Sequence, residues 1–381
     1  MAAPARRYRF LERGTLSWPD LDPLLLILAI VLPLIGVVVV ASALMPVMAD
    51  DDAAFGAAIL RNAFITTAGI AVALGVAQID YRRYGRRSWL LYSIAVVLLI
   101  AVLIPGLASS SGPRRWLDIS FLSFQPSEIA KPALIITLGY WAGRVGNRIR
   151  DQRTFLIGFL LVLIPLLLVA VEPDLGTSIV ILTTTSAVAF IAGSRLRHFL
   201  YVAVVLALGV GLSIMRNPYQ FTRIQAFFSP GDDLLGSGYQ AQQSLLALGS
   251  GGITGKGLGM GTMKFLYLPA PHTDSVFAVI GEEIGLLGTA TMTLLFVLLL
   301  ARGLWIAYHA PDTYGRCLAA GISFQLATQA FINMLVVTGR LPVTGLPLPF
   351  ISSGGTSLIV SLAMLGILMN VSRAASLGAR R

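Results

Sequence analysis

His272-Thr273-Asp274 stands directly before an apolar run that begins at Ser275-Val276. A carboxylate at a membrane–water boundary is costly to hold, because hydrocarbon neither solvates nor pairs it. One role that fits is a general base, which must be positioned within reach of the proton it removes. The other is a helix N-cap, where Asp and Thr are favoured and an acid complements the macrodipole. Spacing leaves both open. Glu128 and Lys131 are three apart and share a helix face. They lie in a stretch where ionisable groups are rare and normally face the interior or a wet cavity. A structural ion pair explains them as well as a functional one.

Arg114, Arg115, Lys131, Arg223, Lys256 and Lys264 suit phosphate oxygens, arginine bidentately; headgroup contacts or solvation explain any single one equally. Gln240, Gln242, Gln243 and Ser244 can hydrogen-bond a sugar or form a solvated helix face. Glu172-Pro-Asp174-Leu-Gly176 reads as a tight turn, since Pro, Asp and Gly each favour turns. One of Glu282 and Glu283 is expected to pair with a cation inside the bundle. His272 has no second His or Cys near it in sequence, which argues against zinc and leaves a hard, oxygen-bound cation.

The elements that must position these groups are membrane helices. With 56% hydrophobic and 12% charged residues, the chain departs from soluble domains, where about 25% are charged. Runs long enough to cross a bilayer predict ten spans, at 23–45, 58–79, 88–108, 127–143, 154–171, 177–193, 198–215, 275–301, 317–337 and 354–372. The expected fold is an all-α polytopic membrane protein, a single unit over 1–381 with tails at 1–20 and 373–381. The spans at 127–143 and 177–193 are rich in small or polar residues and belong inside the bundle. Ala41-Ser42-Ala43 resembles a signal-peptide cleavage site, but the apolar core before it exceeds the usual 7–15 residues, so the first helix is retained. Cys317 is the only cysteine, which rules out an intramolecular disulfide.

A net charge of +10 could suggest nucleic acid, but the charges fall in small clusters beside helix ends. Most of the 28 basic residues sit on one set of connecting segments and most of the 18 acidic residues on the other. That is the positive-inside pattern, and it puts both termini in the cytoplasm. All three lysines nevertheless fall on the outer half, with Arg114, Arg115, Arg216, Arg223 and Arg340. An anionic ligand on the outer face accounts for them; topology does not.

One loop is long. Residues 216–274 lie on the outer side and contain a short amphipathic helix at 239–248, then Gly249-Ser250-Gly251-Gly252 and a second glycine-rich run at 255–261. Long ordered loops are usually functional, and dense glycine implies tight turns or close backbone approach. A nucleotide P-loop is excluded: Ser250 stands at its first glycine position and Gly257 where Ser or Thr must be. Residues 109–126 suit a re-entrant or interface-lying stretch anchored by Trp116. Residues 338–353 combine Pro and Gly with apolar neighbours, a composition tolerated at depth only if buried in protein or lining a wet cavity.

Four blocks then carry a resemblance: WLDISFLSFQPSEIAKPALI (116–135), EPDLGTS (172–178), the stretch from QSLLALGSGG through HTD to IGEE (243–283) and LPVTGLPLPFISSGGTS (341–357). The chain resembles the SEDS family (shape, elongation, division and sporulation) of membrane peptidoglycan glycosyltransferases, over nearly its whole length. It looks closer to the cell-division branch than to the rod-elongation branch. Ser275, Ala270 and Ser353 depart from the family's usual Phe, Glu and Tyr. The resemblance implies polymerisation of lipid II on the outer face of the bacterial cytoplasmic membrane, with inversion at the sugar. The family's catalytic aspartate matches Asp274, and its characteristic Glu and Lys match Glu128 and Lys131. Arg114, Arg115, Arg223, Lys256, Lys264, Gln243, His272 and Thr273 are the further substrate contacts expected. A class B penicillin-binding protein and other divisome or elongasome membrane proteins are the implied partners. A divalent cation, magnesium or manganese, is the expected cofactor, with no organic cofactor. The competing readings are a lipid II flippase and a non-catalytic scaffold for the transpeptidase.

Overall fold

Apolar periodicity this dense leaves helices as the only local solution, since a backbone in hydrocarbon must satisfy its own polar groups. The computed structural model describes residues 21–379 except 47, 49–50, 105–114, 120–121, 173, 217, 230–235 and 266. Each expected span falls on a helix: α1 (Pro23–Leu44), α2 (Asp52–Ala77), α4 (Ser88–Leu103), α5 (Pro126–Val145), α6 (Gln152–Val171), α7 (Leu175–Ile191), α8 (Leu196–Arg216), α11 (Val276–His309), α12 (Thr313–Val337) and α13 (Gly355–Ala379). Shorter helices are α3 (Tyr81–Arg86), α9 (Pro218–Phe228) and α10 (Ser237–Ser250). Six helices among the described residues are long and apolar enough to cross a membrane by length and composition. The shorter α4 and α7 are apolar as well.

Aspartates start several helices by accepting an orphan N–H, as N-caps do. Asp22 takes the Leu25 N–H at 3.3 Å, Asp174 that of Thr177 at 3.0 Å and Asp312 that of Gly315 at 2.7 Å. The small, polar α5 and α7 pack against each other and against α12, and α12 is buried along most of its length. Residues such as Leu60 and Phe64 on α2 are exposed, as a lipid-facing surface requires.

Two segments differ from plain helices and loops. Within 109–126 the chain forms a small antiparallel hairpin, β1 (Leu117–Ile119) and β2 (Leu122–Phe124), with Leu117 opposite Phe124. Pro126 then opens α5, a position where its missing N–H costs nothing. The second is a break in α11 at Gly285, whose backbone sits at φ +74° and ψ −160°. The glycine-rich loop inserts there. Lys256 and Gly257 donate their N–H groups to the carbonyls of Glu282 and Glu283, both at 3.0 Å. In return Leu286 and Leu287 donate to the carbonyls of Gly252 and Ile253, at 2.9 and 3.1 Å. A Cβ on Gly255 would stand 2.2 Å from the Glu283 carbonyl oxygen, so glycine is required. The density of glycine has its reason here: backbone packs against backbone.

Candidate active site

A cavity of about 270 Å³ opens where the hairpin, the starts of α5, α7 and α13, the segment before α11 and the 338–353 segment converge. Asp274, Thr273, Glu128, Asp174, Arg115 and Ser353 line it. Asp274 is not the helix cap. The cap position of α11 is Ser275, which makes no side-chain capping bond, and helix residues begin at Val276. The Asp274 carboxylate instead accepts from side chains: Gln240 Nε2 at 3.0 Å on Oδ2 and Thr273 Oγ1 at 3.0 Å on Oδ1. Asn333 Nδ2 holds its backbone carbonyl at 2.8 Å, while also donating to Leu346 O at 2.8 Å. Nearby backbone is strained: Ala270 and Phe350 have φ of +47° and +68°, and they are the only described non-glycine residues at positive φ. Such conformations persist where surrounding packing enforces them.

Glu128 and Lys131 form a buried pair at 2.8 Å. Lys131 Nζ also donates to Gln329 Oε1 at 2.7 Å, and Gln329 Nε2 donates to Pro347 O at 3.0 Å. The ammonium therefore lies behind the cavity wall, tying α5 to α12 and to the irregular segment. Glu128 lines the cavity, and its Oε2 is buried without a hydrogen-bond partner.

The expected phosphate-binding cations divide. Arg115 lines the cavity, with Nε donating to the Glu172 carbonyl at 3.0 Å and Nη1 lying 4.0 Å from Asp174. Lys256 pairs with Glu282 at 2.7 Å, and Lys264 is fully buried against Glu283 at 2.6 Å and Ser42 at 2.7 Å. Both glutamates thus have cations, where one pairing was expected, and both lysines clamp the long loop onto α11 and α1. Neither lysine lines the cavity, because unpaired carboxylates at that depth would be too costly to leave. Arg223 lies on a separate apolar groove of about 250 Å³ and donates to Val343 O at 3.2 Å. Arg114 lies outside the described residues. Gln243 and His272 do not line the cavity; Ser353 N donates to the His272 carbonyl at 2.9 Å. Burial pushes the His272 imidazole below its ordinary value, against the pull of the Asp274 charge.

Sequence reading missed four contributors. Asp174 passed for a turn residue, yet it caps α7 and forms cavity wall. Gln329 and Asn333, buried amides four apart on α12, brace the site; a polar i, i+4 pair in an apolar helix was the available signal. Ser352 Oγ donates to the Thr273 carbonyl and fixes the step before Asp274.

Fold and cavity together define a helical membrane protein with an acidic pocket at one end of its bundle. A family model described as cell cycle protein, FtsW/RodA/SpoVE, matches residues 22–377. The chain belongs to that family and is a multi-pass membrane protein. It is 41% identical over 361 residues to stage V sporulation protein E of Bacillus subtilis, covering 93% of this chain and 97% of that protein. It is also 41% identical over 307 residues to the peptidoglycan glycosyltransferase MrdB of Escherichia coli, covering 80% and 82%. A structure described as a peptidoglycan synthase complex that coordinates polymerization and crosslinking matches with a TM-score of 0.78 at 30% identity, over 94% of this chain and 99% of that one.

Proposed function

We propose that this protein is a peptidoglycan glycosyltransferase that polymerises lipid II into glycan strands, in cell division or cell-shape maintenance. The carrying observation is the Asp274 carboxylate, free of helix capping and open to the cavity. In this reading Asp274 takes the proton from the GlcNAc 4-hydroxyl of one lipid-linked disaccharide as that oxygen attacks C1 of the other's MurNAc. The C1–O bond to undecaprenyl pyrophosphate breaks, with inversion at C1. Thr273 and Gln240 keep the carboxylate aimed, and positioning of this kind is a large part of general-base efficiency. The charge asymmetry along the chain supports a site on the outer face of the cytoplasmic membrane.

Leaving pyrophosphate needs positive charge in a poorly solvated site. Lys131, Lys256 and Lys264 are engaged with glutamates and do not line the cavity; among the described residues Arg115 is the cation on its wall, held by Asp174 and the Glu172 carbonyl. A divalent cation fits the remaining donors: Glu128 Oε2 is an unpartnered buried oxygen on a cavity wall that Asp174 also lines. Among the described residues no three His, Cys, Asp or Glu side chains group closely enough to hold an ion alone. Glu128 and Asp174 would hold the ion, magnesium or manganese, and it would supply charge neutralisation for the leaving pyrophosphate. The likeness to a peptidoglycan synthase complex that coordinates polymerization and crosslinking supports a class B penicillin-binding protein, with other divisome or elongasome proteins, as partner; the branch is read as the division one.

The test is polymerisation of purified lipid II by the chain with its cognate penicillin-binding protein, with and without magnesium or manganese. Asp274→Asn is expected to lose about a hundredfold or more of the rate, and omission of the metal to lower it. Near wild-type strand synthesis by Asp274→Asn would remove the base assignment, and favour the flippase or scaffold reading.

A further inference from the structure

Apart from its own neighbour Thr273, the Asp274 carboxylate has one side-chain hydrogen-bond partner, and it comes from a different element. Gln240 lies in the first turn of α10, within the long loop, and its Nε2 reaches Asp274 Oδ2 at 3.0 Å. The same nitrogen lies 3.2 Å from Ser275 Oγ. Ser275 is buried and passes its own proton to Pro269 O at 3.0 Å. The hydroxyl therefore presents a lone pair to the amide, and the two acceptors together fix the orientation of the Gln240 side chain. An amide cannot take Asp274's proton, so its value to the site is geometric and electrostatic.

We propose that Gln240 is a positioning residue for the base: its amide, held by Ser275, aims Asp274 Oδ2 into the cavity, so that the catalytic geometry depends on α10 being docked. This rests on Asp274 acting as base. The groups that face Asp274 are consistent with such a role. From its own segment come the Thr273 hydroxyl and the His272 ring; from α12 comes Asn333, which binds the backbone carbonyl and leaves the carboxylate alone. Across the cavity lie Glu128 of α5, Asp174 at the start of α7 and Arg115 before the hairpin. Among the described residues, the Gln240 amide is the donor that reaches the carboxylate from another element. Docking of α10 is independently anchored: α10 packs on α11, and the loop that follows it is inserted in the α11 break. Removing the Gln240 amide therefore leaves the helix in place.

The experiment compares Gln240→Leu, Gln240→Glu and Asp274→Asn in the full chain with its penicillin-binding protein partner, reading kcat and KM on lipid II. Thermal unfolding in detergent is measured alongside. Gln240→Leu is expected to lower kcat roughly tenfold to a hundredfold, the size of one hydrogen bond to a charged group. KM and the melting temperature should stay near wild type. Gln240→Glu removes the donor and sets a carboxylate against Asp274, and should lower kcat at least as far, again with KM and melting temperature near wild type. A merely structural role would lower the melting temperature together with the rate. Wild-type kcat in Gln240→Leu, or a loss of kcat in both variants that is matched by a fall in melting temperature, overturns the proposal. If Asp274→Asn is inactive while both Gln240 variants behave as wild type, the base assignment stands and only this inference falls. If Asp274→Asn is active, the base assignment itself falls.

Discussion

Glu172 is the residue whose environment most contradicts its chemistry. It is buried at the turn between α6 and α7, and neither carboxyl oxygen has a hydrogen-bond partner. Burial first, and the Asp174 charge second, push its carboxyl up to about 8 from 4.5, with Arg115 pulling the other way. The folded protein thus holds a proton between those values that the unfolded chain releases. Stability must fall as pH rises across that window and level off above it. Glu172→Gln keeps the shape and removes the titration. Its stability advantage should be negligible below about 4.5, grow through the window and plateau above about 8, on the order of a few kcal/mol. Thermal unfolding of both proteins in detergent across pH reads this directly; parallel curves would mean the carboxyl is not held neutral. The turn composition was legible in sequence. The neutral acid was not, because desolvation depends on what packs over the turn.

At the scale of elements, the break in α11 decides how the long loop is held. A helix interrupted at membrane depth leaves backbone groups that only protein can satisfy, and the glycine-rich loop satisfies them through Lys256, Gly257, Gly252 and Ile253. Gly255 has φ of +80° and lies against the Glu283 carbonyl. Gly255→Ala is therefore expected to cost more than strain alone, about 3 kcal/mol or more. Gly249→Ala, whose Cβ would meet open space, should be nearly neutral. Melting temperatures of the two variants test this, and similar values would show that the loop is not inserted. The sequence marked the glycines as special and placed an amphipathic helix at 239–248, found as α10. It did not indicate what the glycines approach, since their partners stand about thirty residues on in a different element.

Across the whole molecule, further hydrogen bonds made by the members of buried ion pairs join elements that are far apart in the chain. Lys131 connects α5 to α12 across a separation of 198 residues, and Ser42 meets Glu283 across 241. Removing one member of such a pair strands the other in low dielectric. Lys131→Met alone should destabilise by about 3–5 kcal/mol, while Glu128→Gln with Lys131→Met should recover most of that loss. Denaturant unfolding in detergent compares the two, and equal losses would mean that the pair's charge is not the cause. The sequence by itself determined the spans, the charge asymmetry and the aspartate before the eighth span, because apolar content and local charge act over a few neighbouring residues. Only the tertiary structure decided that Asp274 faces a cavity rather than capping a helix. It also decided that the lysines answer glutamates and that Arg115 lines the pocket beside Asp174. Those outcomes depend on which groups meet across the bundle, and a charge buried there takes whichever opposite charge the packing brings within hydrogen-bond reach.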